Sequence, residues 1–469
     1  MGTAETAAGG AFVRARARTD AGPLLAVAAP AAILAADLAA AAPALTNQDT
    51  WLALVSGREI AERGLPHADH LTLLAAGHGW VDQQWLAQLV LYGAAHAGGV
   101  GVGLALAAAL LATVAAFALA ALTAHERGAS PLSIVLAILA AAVAAPWGFQ
   151  LRTQSLALPL FSLTLWLLAR DPRAERRSTF LVLPVLCLWA NLHGSAVVGV
   201  ALVVLYALRT RRWACLLAPA TLLASPYLLA IPGYYRTMLV EPPFGRAIAE
   251  WHRTTPSPLT AAFFALLAAT AVLAVRRRAR LTVFDALALV LTAAVALDAL
   301  RGIVWFGLAA VAFLPGLATR RPGRQRLEGR TAAIFTGLAA VAVLAAAAVT
   351  AFRPGAAYAE GPAAVAAAVA SRPAAQVLAN DDTADWLLWE VPSLSGRLAY
   401  DVRFELLTRD QLGTVARWRT LAPGWRRALA GRTLVVDDAR HVDRLVSAGG
   451  WRRVLATPTL AVAERSVDG

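Results

Sequence analysis

The feature that most constrains this chain is a succession of long apolar segments separated by short connections rich in arginine. The segments fall near 23–45, 99–122, 131–147, 154–169, 179–191, 194–208, 213–231, 258–275, 282–299, 302–319 and 331–352. About 20 apolar residues suffice to cross a bilayer as a helix. A chain that is 59% hydrophobic and 15% charged is not composed like a soluble domain. The expected fold class is a mainly α polytopic membrane protein with about eleven transmembrane helices. The net charge of +13 does not argue for nucleic acid, because the basic residues, all arginines, lie between apolar runs. Cys187 and Cys215 both fall in apolar segments and imply neither a disulfide framework nor a metal site.

Arginine distribution sets the expected orientation. Alternate connections hold 20 arginines: Arg14, Arg16, Arg18, Arg127, Arg170, Arg173, Arg176, Arg177, Arg209, Arg211, Arg212, Arg276, Arg277, Arg278, Arg280, Arg320, Arg321, Arg324, Arg326 and Arg330. The other connections, although longer, hold eight: Arg58, Arg63, Arg152, Arg236, Arg246, Arg253, Arg301 and Arg353. Positive charge marks the cytoplasmic side. A basic N-terminus (1–22), with its apolar run retained as an anchor, is therefore expected in the cytoplasm of a bacterial inner membrane. A transmembrane domain follows (23–352), with a first outer loop at 46–98 and an extracytoplasmic domain at 353–469.

That first loop, TNQDTWLALVSGREIAERGLPHADHLTLLAAGHGWVDQQW at 46–85, is the first concentration of ionisable groups in the chain. Asp49 directly follows the first apolar segment, where a carboxylate can stand at the water boundary and still reach a lipid-borne substrate. Residues 179–208 lie between two cytoplasmic arginine clusters, so the chain must enter the membrane and return. Thirty helical residues give about 45 Å, or about 22 Å per pass, against a hydrocarbon core of about 30 Å. The turn Asn191-Leu192-His193-Gly194 is thus expected below the outer surface, where polar backbone is tolerated only beside protein or a water-filled cavity.

Asp49, Asp69, Asp82, Gln83, Gln84, Arg152, Gln154, Asn191, His193, Glu250, Trp251, Asp298 and Arg301 all map to the same outward side. Ionisable groups cost at least about 2.5 kcal/mol each at the bilayer centre, which makes them candidates for function. Each also has a structural reading. Arg301 could pair with Asp298 three residues away, His193 could cap a helix, and Arg152 could snorkel to lipid phosphates. Trp80, Trp85 and Trp147 suit interface anchors better than sugar platforms. Gly98-Gly99-Val100-Gly101-Val102-Gly103 reads as a close-packing surface rather than a phosphate cradle. Pro66-His67-Ala68-Asp69-His70, with His78 nearby, offers ligand types for a divalent ion, but no CxxC or HExxH spacing accompanies them. No cofactor and no metal are expected.

Beyond 375 the pattern changes to short β-like runs alternating with helical ones. QVLAN (376–380), RLAYDV (397–402) and RTLVVDD, with a hairpin at Thr457-Pro458-Thr459, predict a small C-terminal α/β domain. Asp381-Asp382 and Asp437-Asp438 follow strands and suit helix N-caps better than ligand groups.

These residues together resemble the GT-C class of polytopic membrane glycosyltransferases, which includes polyprenyl-phosphate-mannose protein mannosyltransferases and bacterial lipid A and arabinosyl transferases. The resemblance rests on DTWLALVSGREIAERG at Asp49–Gly64, GHGWVDQQWL at Gly77–Leu86, RTQ at 152–154, WANLHG at 189–194 and the C-terminal domain. It implies transfer of a sugar from a polyprenyl-phosphate donor at the outer membrane face to an envelope glycan, lipid or protein acceptor. Asp49 would be the general base. Arg152, His193 and Arg301 would bind the donor phosphate, and Asp69, Asp82, Gln83, Gln154, Asn191, Glu250 and Trp251 would line the cavity or meet the acceptor. In that class a second acidic residue often stands beside the first. Here Asn47 and Gln48 precede Asp49, which argues against a metal-assisted variant. A transporter of lipid-linked intermediates or a non-catalytic envelope scaffold would use the same topology, but a transporter should show matching broken helices in both halves. Only 179–208 looks broken.

Overall fold

The computed structural model describes residues 22–170, 180–240, 245, 248–319 and 329–466. Arg14, Arg16, Arg18, Arg173, Arg176, Arg177, Arg246, Arg320, Arg321, Arg324 and Arg326 lie outside the described residues. The chain is a multi-pass helical membrane protein with a small C-terminal α/β domain. The apolar segments form α1 (Gly22–Ala41), α4 (Val102–Glu126), α5 (Pro131–Ala144), α6 (Thr153–Ala169), α7 (Val182–Leu192), α8 (Ala196–Thr210), α10 (Ala261–Arg276), α11 (Val283–Asp298), α12 (Ile303–Ala318) and α13 (Gly329–Phe352). Four spans, Ala26–Ala44, Val102–Glu126, Leu300–Ala318 and Ala333–Phe352, are individually long and apolar enough to cross a membrane. The segment expected near 213–231 is not one straight helix. A 3-10 stretch, Trp213–Leu223, meets Leu228–Leu239 at 97°, and the second arm ends in α9 (Ile231–Leu239).

Several threonines inside the helices are satisfied locally. The hydroxyls of Thr113, Thr164, Thr270, Thr292 and Thr350 each donate to the carbonyl four residues earlier, as burial away from water requires. The glycine run before α4 has two uses. Gly98, Gly99 and Gly101 adopt positive φ in the turn, while a Cβ on Gly103 would lie 2.3 Å from the Ala351 carbonyl oxygen, so α4 and α13 touch backbone to backbone there. At the centre, Phe161, Trp189 and Trp305 pack with ring centroids 5.2–6.1 Å apart.

The 46–98 segment is more ordered than its polarity suggests. It contains α2 (Gln48–Arg63) and α3 (Trp85–His96). Asn47 caps α2 in a reciprocal box with Thr50, and Trp51, Leu54 and Val55 are buried. The two helices cross at Gly57, where a Cβ would meet the Gln88 carbonyl oxygen at 2.3 Å.

The C-terminal domain carries α14 (Ala363–Ala370), β1 (Val377–Ala379), α15 (Asp381–Glu390), α16 (Arg409–Thr420), β2 (Leu434–Asp437), α17 (Ala439–Ser447), β3 (Trp451–Ala456) and β4 (Ala461–Arg465). The sheet order is β1-β2-β4-β3, with β1 and β2 parallel and the 457–459 turn joining the antiparallel pair β3–β4. Residues 397–402 do not form a full strand. They make single bridges, because their other neighbour is the distant 72–74 stretch: Leu73 N–H donates to Leu398 O at 2.7 Å and Leu74 N–H to Ala399 O at 3.0 Å. On the opposite side Val377 and Ala399 complete the link to β1. The first polar segment thus extends the edge of the C-terminal sheet. Asp438 caps α17 as expected, whereas Asn380, not Asp381 or Asp382, caps α15.

Candidate active site

Three elements converge on one group, Arg152. It is only 3% exposed, so it does not snorkel to the membrane surface. Its Nη1 donates to Asp49 Oδ2 at 2.5 Å and its Nη2 to Glu250 Oε2 at 3.1 Å. The backbone beside the pair is fixed by two further bonds. Thr50 Oγ1 donates to Leu151 O at 2.8 Å, and Leu151 N–H to Leu45 O at 2.9 Å. Thr153 and Gln84 are hydrogen-bonded next to it.

Asp49, Arg152, His193, Glu250, Trp251 and Arg301 all line one polar cavity of about 290 Å³. A second, mainly apolar cavity of about 490 Å³ runs between α8, α9, α11 and α12, lined by Val198, Ala201, Leu239, Leu291, Val295 and Trp305 among others. Gln84, His193, Met238, Trp251 and Arg301 line both. His193 does end α7, and its ring is held at that junction. Trp189 Nε1 donates to Ser195 Oγ, and the Ser195 hydroxyl and N–H both reach His193 Nδ1, at 2.8 and 3.1 Å. Nδ1 is therefore the acceptor and Nε2 carries the proton. Arg301 lies over the Trp251 ring at 4.6 Å. Among the described residues no ion pair joins it to Asp298.

The remaining sequence candidates are placed elsewhere. Asp69 is fully buried and accepts from Leu71 N–H, Thr72 and Arg403. Gln83 donates to Ala190 O, and Asn191 accepts from Trp85 Nε1 at 2.8 Å while donating to Cys187 O and Ala224 O. Asp82 and Gln154 are buried, each with one side-chain oxygen unpartnered. None of these five lines either cavity. Gln83 and Asn191 tie the 83–85 stretch to the end of α7 beside Gln84 and His193. Two of the loop histidines have separate partners: His67 packs edge-on against Tyr227, and His78 Nδ1–H donates to Leu406 O. Trp80 is not an interface anchor; it lies buried beneath the Arg403 guanidinium at 4.2 Å.

The C-terminal domain closes the polar cavity with Asp381, Asp382, Arg403, Phe404, Glu405 and Arg419; sequence singled out only the two aspartates, and as helix caps rather than site residues. Arg403 is the pivot, pairing with Asp401 at 2.5 Å and Asp69 at 2.6 Å. Burial works against its charge, but Asp401 and Asp69 outweigh that and raise its pKa. Burial pushes the nearby Asp385 carboxyl well up, and Asp401 adds to the shift.

A helical membrane core, short helices in the first polar segment and a C-terminal α/β domain together enclose this charged cavity. Two solved structures have this architecture. ArnT from Cupriavidus metallidurans in the apo state aligns at 13% identity with a TM-score of 0.53, over 90% of this chain and 94% of that one. The same protein bound to undecaprenyl phosphate aligns at 15% identity with a TM-score of 0.52, over 95% and 97%. No family model and no curated protein matches the chain.

Proposed function

We propose that this protein is an inverting glycosyltransferase that moves a sugar from a polyprenyl-phosphate donor to an acceptor hydroxyl at the outer face of the inner membrane. The observation that carries this reading is the meeting of the polar and apolar cavities at His193 and Arg301. A polyprenyl phosphate has that form: a charged head on a long apolar chain. Binding of undecaprenyl phosphate by the structurally similar ArnT supports the assignment. The apolar cavity takes the first prenyl units, and the phosphate lies against Arg301 and the His193 Nε2–H.

Arg152 is already committed to Asp49 and Glu250, so it follows Arg301 and His193 as a phosphate ligand. It engages as charge develops on the departing group. Asp49 takes the proton of the acceptor hydroxyl. The acceptor oxygen bonds to the anomeric carbon from the face opposite the phosphate, and the anomeric C–O bond breaks with its electron pair leaving on the polyprenyl phosphate. The bond cleaved is activated by phosphate, so no nucleotide is required.

The test is release of polyprenyl phosphate from a panel of polyprenyl-phosphate hexoses and pentoses by the protein in lipid nanodiscs, with envelope membranes as acceptor source. Release that depends on Asp49 is expected. Movement of the donor between leaflets without release would instead indicate a transporter, and neither activity a scaffold.

A further inference from the structure

Most carboxylates around the polar cavity already face a cation: Asp49 and Glu250 share Arg152, and Asp381 meets Arg419 at 3.2 Å. Glu405 differs. It sits on the 3-10 turn Phe404–Leu406, and the chain on both sides of it is clamped to the 46–98 segment. Before it, Arg403 reaches Asp69; after it, the Leu406 carbonyl accepts from His78 at 2.7 Å. The carboxyl group between these clamps lines the cavity. It meets its own backbone N–H but has no hydrogen-bonded or ion-paired side chain among the described residues. A polar group held this rigidly without a partner in the fold is placed to meet one from outside. Asp49 faces it from α2 and Tyr234 from α9, with Arg403 and Asp401 from its own segment.

We propose that Glu405 is the acceptor-positioning residue. Its carboxyl group hydrogen-bonds one hydroxyl of the acceptor and thereby holds the neighbouring hydroxyl against Asp49. This rests on the glycosyl-transfer reading above and adds the class of acceptor: a polyol, such as a sugar residue, with no anionic group beside the reacting hydroxyl. Two features support it. Burial pushes the Glu405 carboxyl up to about 7, only partly offset by Arg403, so near neutrality it can both donate and accept, as a hydroxyl pair demands. The same wall carries Asp382, which has no ion-pair partner among the described residues and so disfavours a phosphate or carboxylate approaching from that side.

The experiment measures undecaprenyl phosphate release from an undecaprenyl-phosphate sugar by nanodisc protein, with envelope membranes as acceptor source, from pH 5.5 to 8.5. Retention of undecaprenyl phosphate is followed in parallel by native mass spectrometry. Glu405→Ala should lower release by about 10²-fold while retention is unchanged. Glu405→Gln, which keeps a donor and an acceptor, should restore release to within a few-fold and remove the fall above pH 7 that is expected of the unaltered protein. Wild-type rates for Glu405→Ala, or no rescue by Gln, would overturn the proposal. Lost retention in Glu405→Ala would also overturn it, by making Glu405 a donor-side or structural residue. No release by unaltered protein at any pH would overturn the transfer reading itself, and this inference with it.

Discussion

Thr50 and Leu151, 101 residues apart, are joined by a hydroxyl–carbonyl hydrogen bond of 2.8 Å. Asp49 and Arg152 are the next residues on either side of it. The placement of a base candidate against a guanidinium is therefore fixed by this neighbouring bond as well as by the ion pair. The pair joins two elements, α2 and the N-terminus of α6, that share no local sequence signal.

This makes the two side chains non-independent. Asp49→Asn should abolish transfer, by about 10²–10⁴-fold in turnover, because Asn cannot take a proton at neutral pH. Arg152→Ala should weaken donor use by about 1.5–3 kcal/mol. In the double variant the losses should fall short of their sum, since each single change already breaks the shared contact. Steady-state kinetics on the four proteins measures the coupling, and strict additivity would separate the two roles.

The clamp between domains has its own signature. Removing the Arg403 side chain leaves Asp69 and Asp401 buried without their cation. Loss of one partner from a buried pair costs about 3–5 kcal/mol. Arg403→Ala should lower the unfolding midpoint and expose the C-terminal domain to proteolysis near 353–362. Resistance equal to that of the unaltered protein would show that the domain is held by other contacts.

Stability should also respond to pH through Asp82, which is 3% exposed with an unpartnered Oδ2. Burial pushes its carboxyl up to about 7, with Arg403 pulling the other way. In the unfolded chain it titrates near about 3.9. Between roughly pH 4 and 7 the folded state therefore holds a proton that the unfolded state has lost, and stability falls as pH rises through that window. Asp82→Asn should flatten this slope in melting curves recorded from pH 4 to 8.

The α2–α3 crossing leaves no space at Gly57. Gly57→Ala places a methyl group against the Gln88 carbonyl and Tyr92, and forced overpacking costs about 1–3 kcal/mol. The helices should part enough to shift Gln84, with both melting temperature and transfer reduced. Unchanged values of both would mean that the crossing can widen freely.

Orientation is tested by single cysteines introduced at Ser257 and Ala279, both exposed. An impermeant reagent applied to intact cells should label the first and not the second. Equal labelling would invert or abolish the arginine-based map.

What could be read from sequence follows from how each feature is encoded. The apolar helices were legible because bilayer thickness sets their length. The 191–194 turn was legible because 30 residues are too few for two full passes, and His193 does line both cavities. Asp49 and Arg152 stood out as charged groups beside apolar segments. The wall made by Arg403, Glu405 and Arg419 did not, because it depends on contacts such as Arg403 with Asp69, 334 residues apart, which leave no periodicity. For the same reason Asp69 looked like a site residue when it is the counter-ion of that wall. The helical order of α2 was masked by its polar face, and the bend after Leu223 by a composition that reads as one continuous span.

The bonding of residues 72–74 onto 397–399 has a consequence for any attempt to work with the pieces separately. The small sheet is finished by chain made more than 300 residues earlier, as a seam is closed by cloth from another panel. A fragment starting at 353 would bear a raw β edge with its hydrogen-bonding groups exposed, an invitation to self-association. The membrane portion alone would carry an unanchored flap and a buried aspartate with no counter-ion. Neither is a module in the sense of a part that can be exchanged.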